Sequence, residues 1–424
     1  MRAMLVLLVL ALLVTGCQGA TPAPVEAGTV KSNLPREMAP EIPATDQAAL
    51  VTGNTAFAVD LYQQLLATEG GNLFFSPHSI SVALAMTYAG AGGETAAQMA
   101  ETLHFTLADA DLHRAFNALD QLLAAKPAGE EEAFELHTAN SLWAEQSYVF
   151  LPEFLDLLAQ NYGAGLRLVD FKTAAEAARQ AINAWVEEQT AGRIKDLIPA
   201  DGVDSLTRLV LANAIYFKAG WQYPFAADRT ADGDFTTLSG AKVSVPMMEW
   251  STGNAVPYAR GEGYQAIELP YKGGEASMVL LVPDAGRFEE FEAGLTGERL
   301  QQLLSGLDYN GIRLTMPKFE IEAKFSLADT LRDMGMGLAF DQVQADFSGM
   351  DGSRDLYIGD VFHKAFVAVD ESGTEAAAAT AVVMQLKSAA LEETPVTVDC
   401  PFIYLIRDTQ SGAVLFLGRV VNPG

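Results

Sequence analysis

The stretch that most constrains the fold is TRLVLANAIYFKAGW at residues 207–221, which is apolar along almost its whole length. A run of this kind is typical of a β-strand that other layers cover on both faces, so the chain must build a layered core. Half of all residues are hydrophobic, which supplies enough apolar surface for such a core. Further strands are predicted within four segments: 264–284, 311–327, 361–370 and the hairpin 400–424.

Helical patterns occupy the first half of the chain. Asn54 is predicted to cap a helix in which Phe57, Leu61 and Leu65 form one apolar stripe. More helical segments are predicted within 77–103, 107–126, 151–163 and 177–198. Because helices crowd the first half and strands the second, the sequence favours an α+β fold. Since no repeat or change of composition divides residues 46–424, they are predicted to form a single domain.

The N-terminal sequence MRAMLVLLVLALLVTGCQGA has the order of a secretory signal, with Arg2, an apolar run over residues 3–14 and then small residues. The letters VTGC that end at Cys17 resemble a bacterial lipobox. Residues 1–17 are therefore predicted to be a lipoprotein-type signal peptide, with lipid attached at Cys17. We expect a protein exported to the extracellular face and lipid-anchored to the cell envelope, with plain secretion as the alternative. Residues 18–45 contain five prolines and are predicted to be an extended, unpacked tether.

The charge balance limits the partners that this chain can bind. Acidic residues outnumber basic ones 54 to 27, which gives a formal net charge of −27. Such a charge argues against nucleic acid or an anionic membrane as the main partner. The surplus is interpreted as a solubility device, and attraction of a basic partner is the alternative.

Motifs for the common catalytic and metal chemistries are absent from the sequence. HExxH, GxSxG, GxxxxGK[ST] and cysteine–histidine pairs at zinc spacing do not occur, and there are only five histidines. SxxK matches once, at Ser239–Lys242, without the SDN and KTG motifs that accompany it in the β-lactamases. No catalytic residue, metal site or cofactor is therefore predicted. Cys17 and Cys400 are the only cysteines, so lipidation of Cys17 rules out an intramolecular disulfide, and Cys400 is predicted to be a structural thiol.

Five segments, in order, resemble the serpin family over about residues 50–423. They are NLFFSPHSISVALAMTYAGAGGET, LVLANAIYFKAGW, VPMMEW, HKAFVAVDESGTEAAAAT and CPFIYLIRD with LFLGRVVNP. The resemblance implies three β-sheets, eight or nine helices and an exposed reactive loop before the C-terminal strands. It also implies inhibition as a suicide substrate, in which a serine protease cuts the loop and the loop then inserts into the central sheet.

The hinge of this loop has residues that suit insertion. The resemblance assigns to it Glu371, Gly373, Thr374, Glu375, Ala376, Ala377, Ala378 and Ala379. In an extended strand, alternate side chains from Thr374 to Leu386 share one face, and none of them is charged. This face can enter a sheet without burying a charge. On the residues alone the alanine run also suits a surface helix, since alanine is the best helix former; the resemblance favours an inhibitory hinge.

The bond to be cut is assigned by counting along the hinge. Inhibitory serpins commonly place the scissile residue seventeen positions from the hinge glutamate, which gives Lys387, followed by Ser388, when Glu371 is counted as the first. A lysine suits a trypsin-like protease with an acidic specificity pocket. Cleavage at Leu386 or Met384 is the alternative, and would suit chymotrypsin-, elastase- or subtilisin-like proteases.

The resemblance also marks a group of residues beneath the central sheet. Ser76, Ser79, Asn213 and His363 match the cluster that controls opening of the sheet, and Trp221 matches the aromatic residue where insertion begins. On the residues alone, His363 also suits a hydrogen-bonded core histidine, and Trp221 suits ordinary packing.

The resemblance implies a target serine protease, expected to be trypsin-like, as the partner of a monomeric protein. Membrane contact is expected only through the lipid anchor. No glycosaminoglycan is expected, because residues 107–135 carry few cations. Two alternatives stay open: a non-inhibitory serpin that acts as a binding or chaperone-like module, and a lipid-anchored hydrolase, which the missing motifs disfavour.

Overall fold

The computed structural model describes residues 28–124, 134–374 and 393–424, with the backbone alone at 251–254. Two short 3-10 helices lie at Ala227–Arg229 and Gly337–Phe340. The described residues form ten α-helices: α1 (Ala44–Leu65), α2 (Pro77–Tyr88), α3 (Gly93–Thr102), α4 (Asp109–Ala124), α5 (Pro152–Tyr162), α6 (Phe171–Gln189), α7 (Phe288–Ala293), α8 (Gly297–Ser305), α9 (Ala328–Asp333) and α10 (Ser348–Asp351).

Sixteen strands complete the described fold. They are β1 (Gly28–Val30), β2 (Leu73–Phe75), β3 (Glu135–Glu145), β4 (Leu166–Val169), β5 (Leu209–Gly220), β6 (Ala231–Thr236), β7 (Lys242–Gly261), β8 (Tyr264–Pro270), β9 (Ala276–Pro283), β10 (Asp308–Pro317), β11 (Phe319–Ser326), β12 (Ile358–Val369), β13 (Gly373–Thr374), β14 (Thr394–Thr397), β15 (Phe402–Asp408) and β16 (Val414–Val420). The α+β class is confirmed.

The described strands group into two hydrogen-bonded sheets, where the serpin resemblance implies three. The first sheet has the order β1-β4-β3-β5-β13-β12-β11, and β5 also pairs directly with β12. The second sheet runs β14-β10-β7-β8-β9-β15-β16-β2, and β6 pairs with β7. Because β7 is 20 residues long and pairs with β6, β8 and β10, it joins β14, β10 and β6 to the strands from β8 to β2 in one network.

β5 is the buried strand that the sequence predicts. Its alternate side chains enter two different apolar clusters, as expected for a strand covered on both faces. Leu211 and Ile215 pack in the main core, while Val210 and Ala212 pack in a smaller cluster with Ile182 of α6. Helix α6 therefore covers one face of the first sheet, and the main core covers the other.

The prediction of an unpacked tether over residues 18–45 is wrong from residue 28 onward. β1 pairs with β4 at the edge of the first sheet. The Arg36 guanidinium bonds to Asn117 at 2.8 Å and to Asp120 at 2.6 Å, both on α4. Asn117 and Gln121 of α4 also donate to the carbonyl of Glu37, at 2.8 and 2.6 Å. Residues 28–43 therefore lie against the domain, because a short strand, Arg36 and these bonds give this proline-containing segment fixed partners.

The predicted cap at Asn54 is also wrong. α1 begins at Ala44, so Asn54 lies inside the helix, where it is buried. Its side-chain oxygen accepts a hydrogen bond of 2.8 Å from Ser81 on α2. The polar side chain thus joins two helices, which explains why an asparagine stands within an apolar helical stretch.

Among the described residues, no helix is both long and apolar enough to span a bilayer. The predicted signal peptide 1–17 and its Cys17 lie outside those residues.

Candidate functional site

The described end of the hinge lies between two strands of the first sheet. β5 and β12 pair in parallel, residues 209–216 against 358–366. Beyond this pair the strands part, and β13 lies between them, where Thr374 pairs with Ala219 of β5 and with Val369 of β12. Thr374 is fully buried. The centre of the first sheet therefore already holds the start of an additional antiparallel strand.

Gly373 lets this short strand fit. A Cβ atom at Gly373 would lie 2.0 Å from the carbonyl oxygen of Ala219 and 2.7 Å from the Cα of Gly220. Only glycine allows the two backbones to approach this closely.

Glu371 is held by side chains from other parts of the chain. Its carboxylate forms an ion pair of 2.6 Å with Lys318, which lies between β10 and β11, and accepts a hydrogen bond of 2.7 Å from Thr230. Its carbonyl accepts a bond of 2.9 Å from the N–H of Phe225. Partial burial opposes the charged form, but the bonds from Lys318 and Thr230 outweigh it and hold the pKa of Glu371 below its usual value.

Trp221 lies beside the hinge and fixes its backbone. Its N–H donates to the carbonyl of Ser372 at 2.9 Å, and its indole Nε1–H donates to the carbonyl of Asp370 at 2.9 Å. The Asp370 carboxylate accepts from the N–H groups of Ser372 and Gly373 at 2.7 and 3.2 Å. The residue that the sequence resemblance places at the start of insertion is therefore in contact with the hinge.

The other four predicted residues meet beneath the first sheet. The N–H of Ser76 donates to His363 Nε2 at 3.1 Å, and His363 Nδ1 is hydrogen-bonded to the Asn213 side-chain oxygen. Burial lowers the pKa of His363 to about 3, so the ring is neutral. Because Nε2 accepts, the proton must lie on Nδ1 and is donated to Asn213.

Asn140 completes the group, and sequence reasoning missed it. The Asn213 amide donates to Ser79 Oγ at 2.7 Å and to the Asn140 side-chain oxygen at 2.5 Å. Ser79 Oγ also donates to Asn140 at 2.8 Å. Asn140 lies on β3, so the network crosses three strands and the N-terminal turn of α2. Asn140 lies directly opposite Asn213 in the antiparallel register, and no sequence signal reveals it before that register is known.

This network opposes separation of β5 from β12. Neighbouring strands lie about 4.8 Å apart, so a strand inserted between them would double that spacing to about 9.6 Å. The hydrogen bond between His363 and Asn213 crosses this boundary and must break when the sheet opens. A buried polar group without a partner is unfavourable, so the closed network stabilises the closed sheet.

The remaining predicted loop residues lie outside the described residues: Glu375, Ala376, Ala377, Ala378, Ala379, Lys387 and Ser388. The described chain resumes at residue 393, and β14 then pairs in parallel with β10. Cys400 is half-buried and its thiol lies 3.7 Å from the carbonyl of Pro283. Burial, together with Asp399 and Asp284, raises its pKa to about 11, which suits a structural thiol.

Within the described ranges, no group of three or more histidine, cysteine, aspartate or glutamate side chains could hold a metal ion.

Comparison with known proteins assigns the chain to a family. The profile described as "Serpin (serine protease inhibitor)" matches residues 52–423. The chain belongs to the serpin family. An uncharacterized serpin-like protein of Thermococcus kodakarensis is 39% identical over 433 residues, which cover 100% of this chain and 99% of that protein.

Two further similarities agree with this assignment. Human leukocyte elastase inhibitor is 40% identical over 382 residues, covering 88% of this serpin and 99% of the human protein. The native-state crystal structure of the thermophilic serpin tengpin matches with a TM-score of 0.81 and 28% identity, covering 94% of this serpin and 100% of tengpin. The serpin fold and family are thus confirmed.

Proposed function

We propose that this serpin inhibits a serine endopeptidase as a suicide substrate. The observation that carries the proposal is the position of β13, whose Thr374 is fully buried between β5 and β12. A strand that continued from Thr374 would separate β5 from β12 without a change of register. The family profile and the inhibitor among the relatives support protease inhibition in general.

The chemistry is supplied by the protease. Its serine oxygen attacks the carbonyl carbon of Lys387, the peptide bond to Ser388 breaks, and the amino group of Ser388 leaves with the proton from the protease histidine. The Lys387 acyl group remains esterified to the protease serine. The severed loop then inserts between β5 and β12 and moves the attached protease before water can hydrolyse the ester.

The energy for this movement comes from completing the first sheet. Each new backbone hydrogen bond contributes on the order of 1 kcal/mol net, and burial of apolar side chains adds to this. The alternate positions from Thr374 to Leu386 carry no charge, so insertion buries none. The intact chain is then a kinetic trap, which the closed network around His363 helps to maintain.

Specificity is proposed to be trypsin-like, because Lys387 occupies the scissile position. The alternative is cleavage at Leu386 or Met384, which would suit an elastase- or chymotrypsin-like protease. The name of the human relative, an elastase inhibitor, favours testing this alternative directly.

The test is incubation of the protein with trypsin, chymotrypsin, elastase and subtilisin in separate reactions. The proposal predicts a complex with trypsin that survives denaturing electrophoresis, and mass spectrometry of the released C-terminal peptide should find Ser388 at its start. Lys387→Leu is the matched variant and should lose the trypsin complex while keeping its folded stability. Complete cleavage with turnover and no stable complex with any of the proteases would contradict inhibition.

The location is proposed to be the extracellular face of the cell envelope, through lipid on Cys17. The support is the order of charge, apolar run and VTGC in the first 17 residues. Mass spectrometry of the N-terminal peptide of the membrane-associated protein should find acyl chains on Cys17. Unchanged membrane association of the Cys17→Ser variant would contradict the anchor.

A further inference from the structure

Tyr271 lies where the two sheets meet, immediately beside the hinge. It follows the last residue of β8 and forms an isolated antiparallel bridge with Trp221. The N–H of Lys272 donates to Gly220 at 2.9 Å, and the N–H of Gln222 donates to Pro270 at 2.9 Å. These bonds fix the end of β8 to the end of β5, so the position of Tyr271 is set by both sheets.

The ring of Tyr271 is held rigidly and the side chain is fully buried. Trp221 stacks on it with the ring centroids 4.6 Å apart and the planes within 6°, and Phe217 meets it edge-on at 5.1 Å. With the ring fixed, the direction of its hydroxyl is limited to a small region. Burial raises the pKa of Tyr271, so the hydroxyl remains protonated and available as a donor.

That hydroxyl is hydrogen-bonded to the hinge. The Tyr271 oxygen lies 2.6 Å from Oγ1 of Thr374, and either group can donate. Thr374 is also fully buried, so neither hydroxyl can exchange this bond for one to bulk water while β13 stays in place. A buried hydroxyl without a partner is unfavourable, and the bond therefore favours the position of Thr374 between the strands.

We propose that Tyr271 is a positioning residue that seats Thr374 between β5 and β12 before the loop is cut, and thereby raises the share of cut loops that trap the protease. The trapping part rests on the proposed inhibitory function. After acylation, insertion competes with hydrolysis of the ester. With Thr374 already paired to Ala219 and Val369, insertion continues from a strand in register, and Phe366 and Tyr216 are the next pair to separate.

The first test is the Tyr271→Phe variant, which keeps the stacked ring and removes the hydroxyl. Hydrogen exchange of the amides of residues 371–374 should become at least severalfold faster. The number of inhibitor molecules consumed per protease trapped should rise at least twofold, while the rate constant of the first cleavage stays within twofold of the original. Thr374→Val removes the other partner and should act in the same direction.

The double variant Tyr271→Phe/Thr374→Val isolates the hydrogen bond. Replacing both partners by apolar groups leaves no unsatisfied hydroxyl, so exchange and inhibitor consumption should return towards the original values. Tyr162→Phe is the matched control, since its hydroxyl bonds to His113 at 2.7 Å between α4 and α5. It should lower thermal stability without changing exchange at the hinge or inhibitor consumption.

Two readouts separate this inference from the proposed function. Unchanged hydrogen exchange of the amides of residues 371–374 in Tyr271→Phe would overturn the claim that Tyr271 positions Thr374, whether or not the protein inhibits a protease. Faster exchange with unchanged inhibitor consumption would overturn the effect on trapping. Failure of the original protein to trap any protease would overturn the inhibitory function and the trapping effect together. The hydrogen-exchange data would still show whether Tyr271 positions Thr374.

Discussion

His363 on β12 and Asn213 on β5 are joined by a buried side-chain hydrogen bond across the boundary that must open for a strand to enter the first sheet. The imidazole is neutral because its pKa is lowered to about 3 by burial. The closed sheet thus depends on a histidine that stays unprotonated.

Mild acid is expected to destabilise the intact protein. Burial lowers the pKa of His363 to about 3 and that of His113 to about 4, whereas an exposed histidine titrates near about 6.5. Between these values the unfolded chain binds more protons than the folded chain. The free energy of unfolding therefore has its full value above about pH 6.5. It decreases as the pH is lowered from there, by up to about 1.4 kcal/mol per pH unit for each such histidine. Urea unfolding from about pH 7 to about pH 5 measures this, and an unchanged midpoint would contradict it.

Thr374→Arg should convert the inhibitor into a substrate. The Thr374 side chain is fully buried in the sheet, and an arginine there would have to bury a charge at a cost of several kcal/mol. The loop should still be cut, but insertion should fail, so the electrophoretically stable complex disappears and protease activity returns. Thr374→Ser keeps the hydroxyl and should still inhibit. A stable complex formed by Thr374→Arg would show that insertion does not pass through this position.

Reversing the charge of Glu371 should destabilise the attachment of the hinge to Lys318. In Glu371→Lys two cations would face each other where Lys318 now lies 2.6 Å from a carboxylate. The pair is partly exposed, so we expect a loss of about 1 kcal/mol in the free energy of unfolding. The double change Glu371→Lys/Lys318→Glu should recover most of the loss. Equal stability of the single and double variants would contradict a direct interaction.

Arg36→Ala should loosen the N-terminal segment on α4, where Asn117 and Gln121 still donate to the carbonyl of Glu37. Its guanidinium bonds to Asn117 and Asp120, and its loss should lower the free energy of unfolding by about 1 kcal/mol. Arg260→Ala is the control, because among the described residues the Arg260 side chain forms only a long, exposed pair with Asp284 at 3.7 Å and should change stability little. Thermal unfolding compares the three proteins, and equal midpoints would argue that residues 28–43 do not stabilise the domain.

The sequence predicts those parts of the fold that have a strong local pattern. β5, the β8–β9 pair and the C-terminal hairpin are found because each is apolar and bounded by turn residues. β1 is missed because three residues carry no measurable alternation and gain their structure from β4. From its sequence, segment 311–327 is predicted to be two paired strands, yet β10 and β11 belong to different sheets. Only tertiary packing makes the chain pass from the second sheet to the first at Lys318.

The site also contains residues that the sequence could name and residues that only the structure reveals. Ser76, Ser79, Asn213 and His363 could be named from the family resemblance, and the structure brings them together. Asn140 joins them through a strand pairing that no local pattern encodes. Tyr271 and Thr374 lie about a hundred residues apart in sequence, so their hydrogen bond could be found only once both sheets are in place.

The most direct test of stored folding energy compares the thermal unfolding of the intact chain with that of the chain cut near residue 387. Insertion of the severed loop should complete the first sheet and raise the unfolding midpoint by about 10 °C or more, because a dozen new backbone hydrogen bonds add on the order of 10 kcal/mol and each kcal/mol shifts the midpoint of a domain this large by about 1 °C. An unchanged midpoint after a verified cut would contradict the account, since the loop would then be a passive substrate.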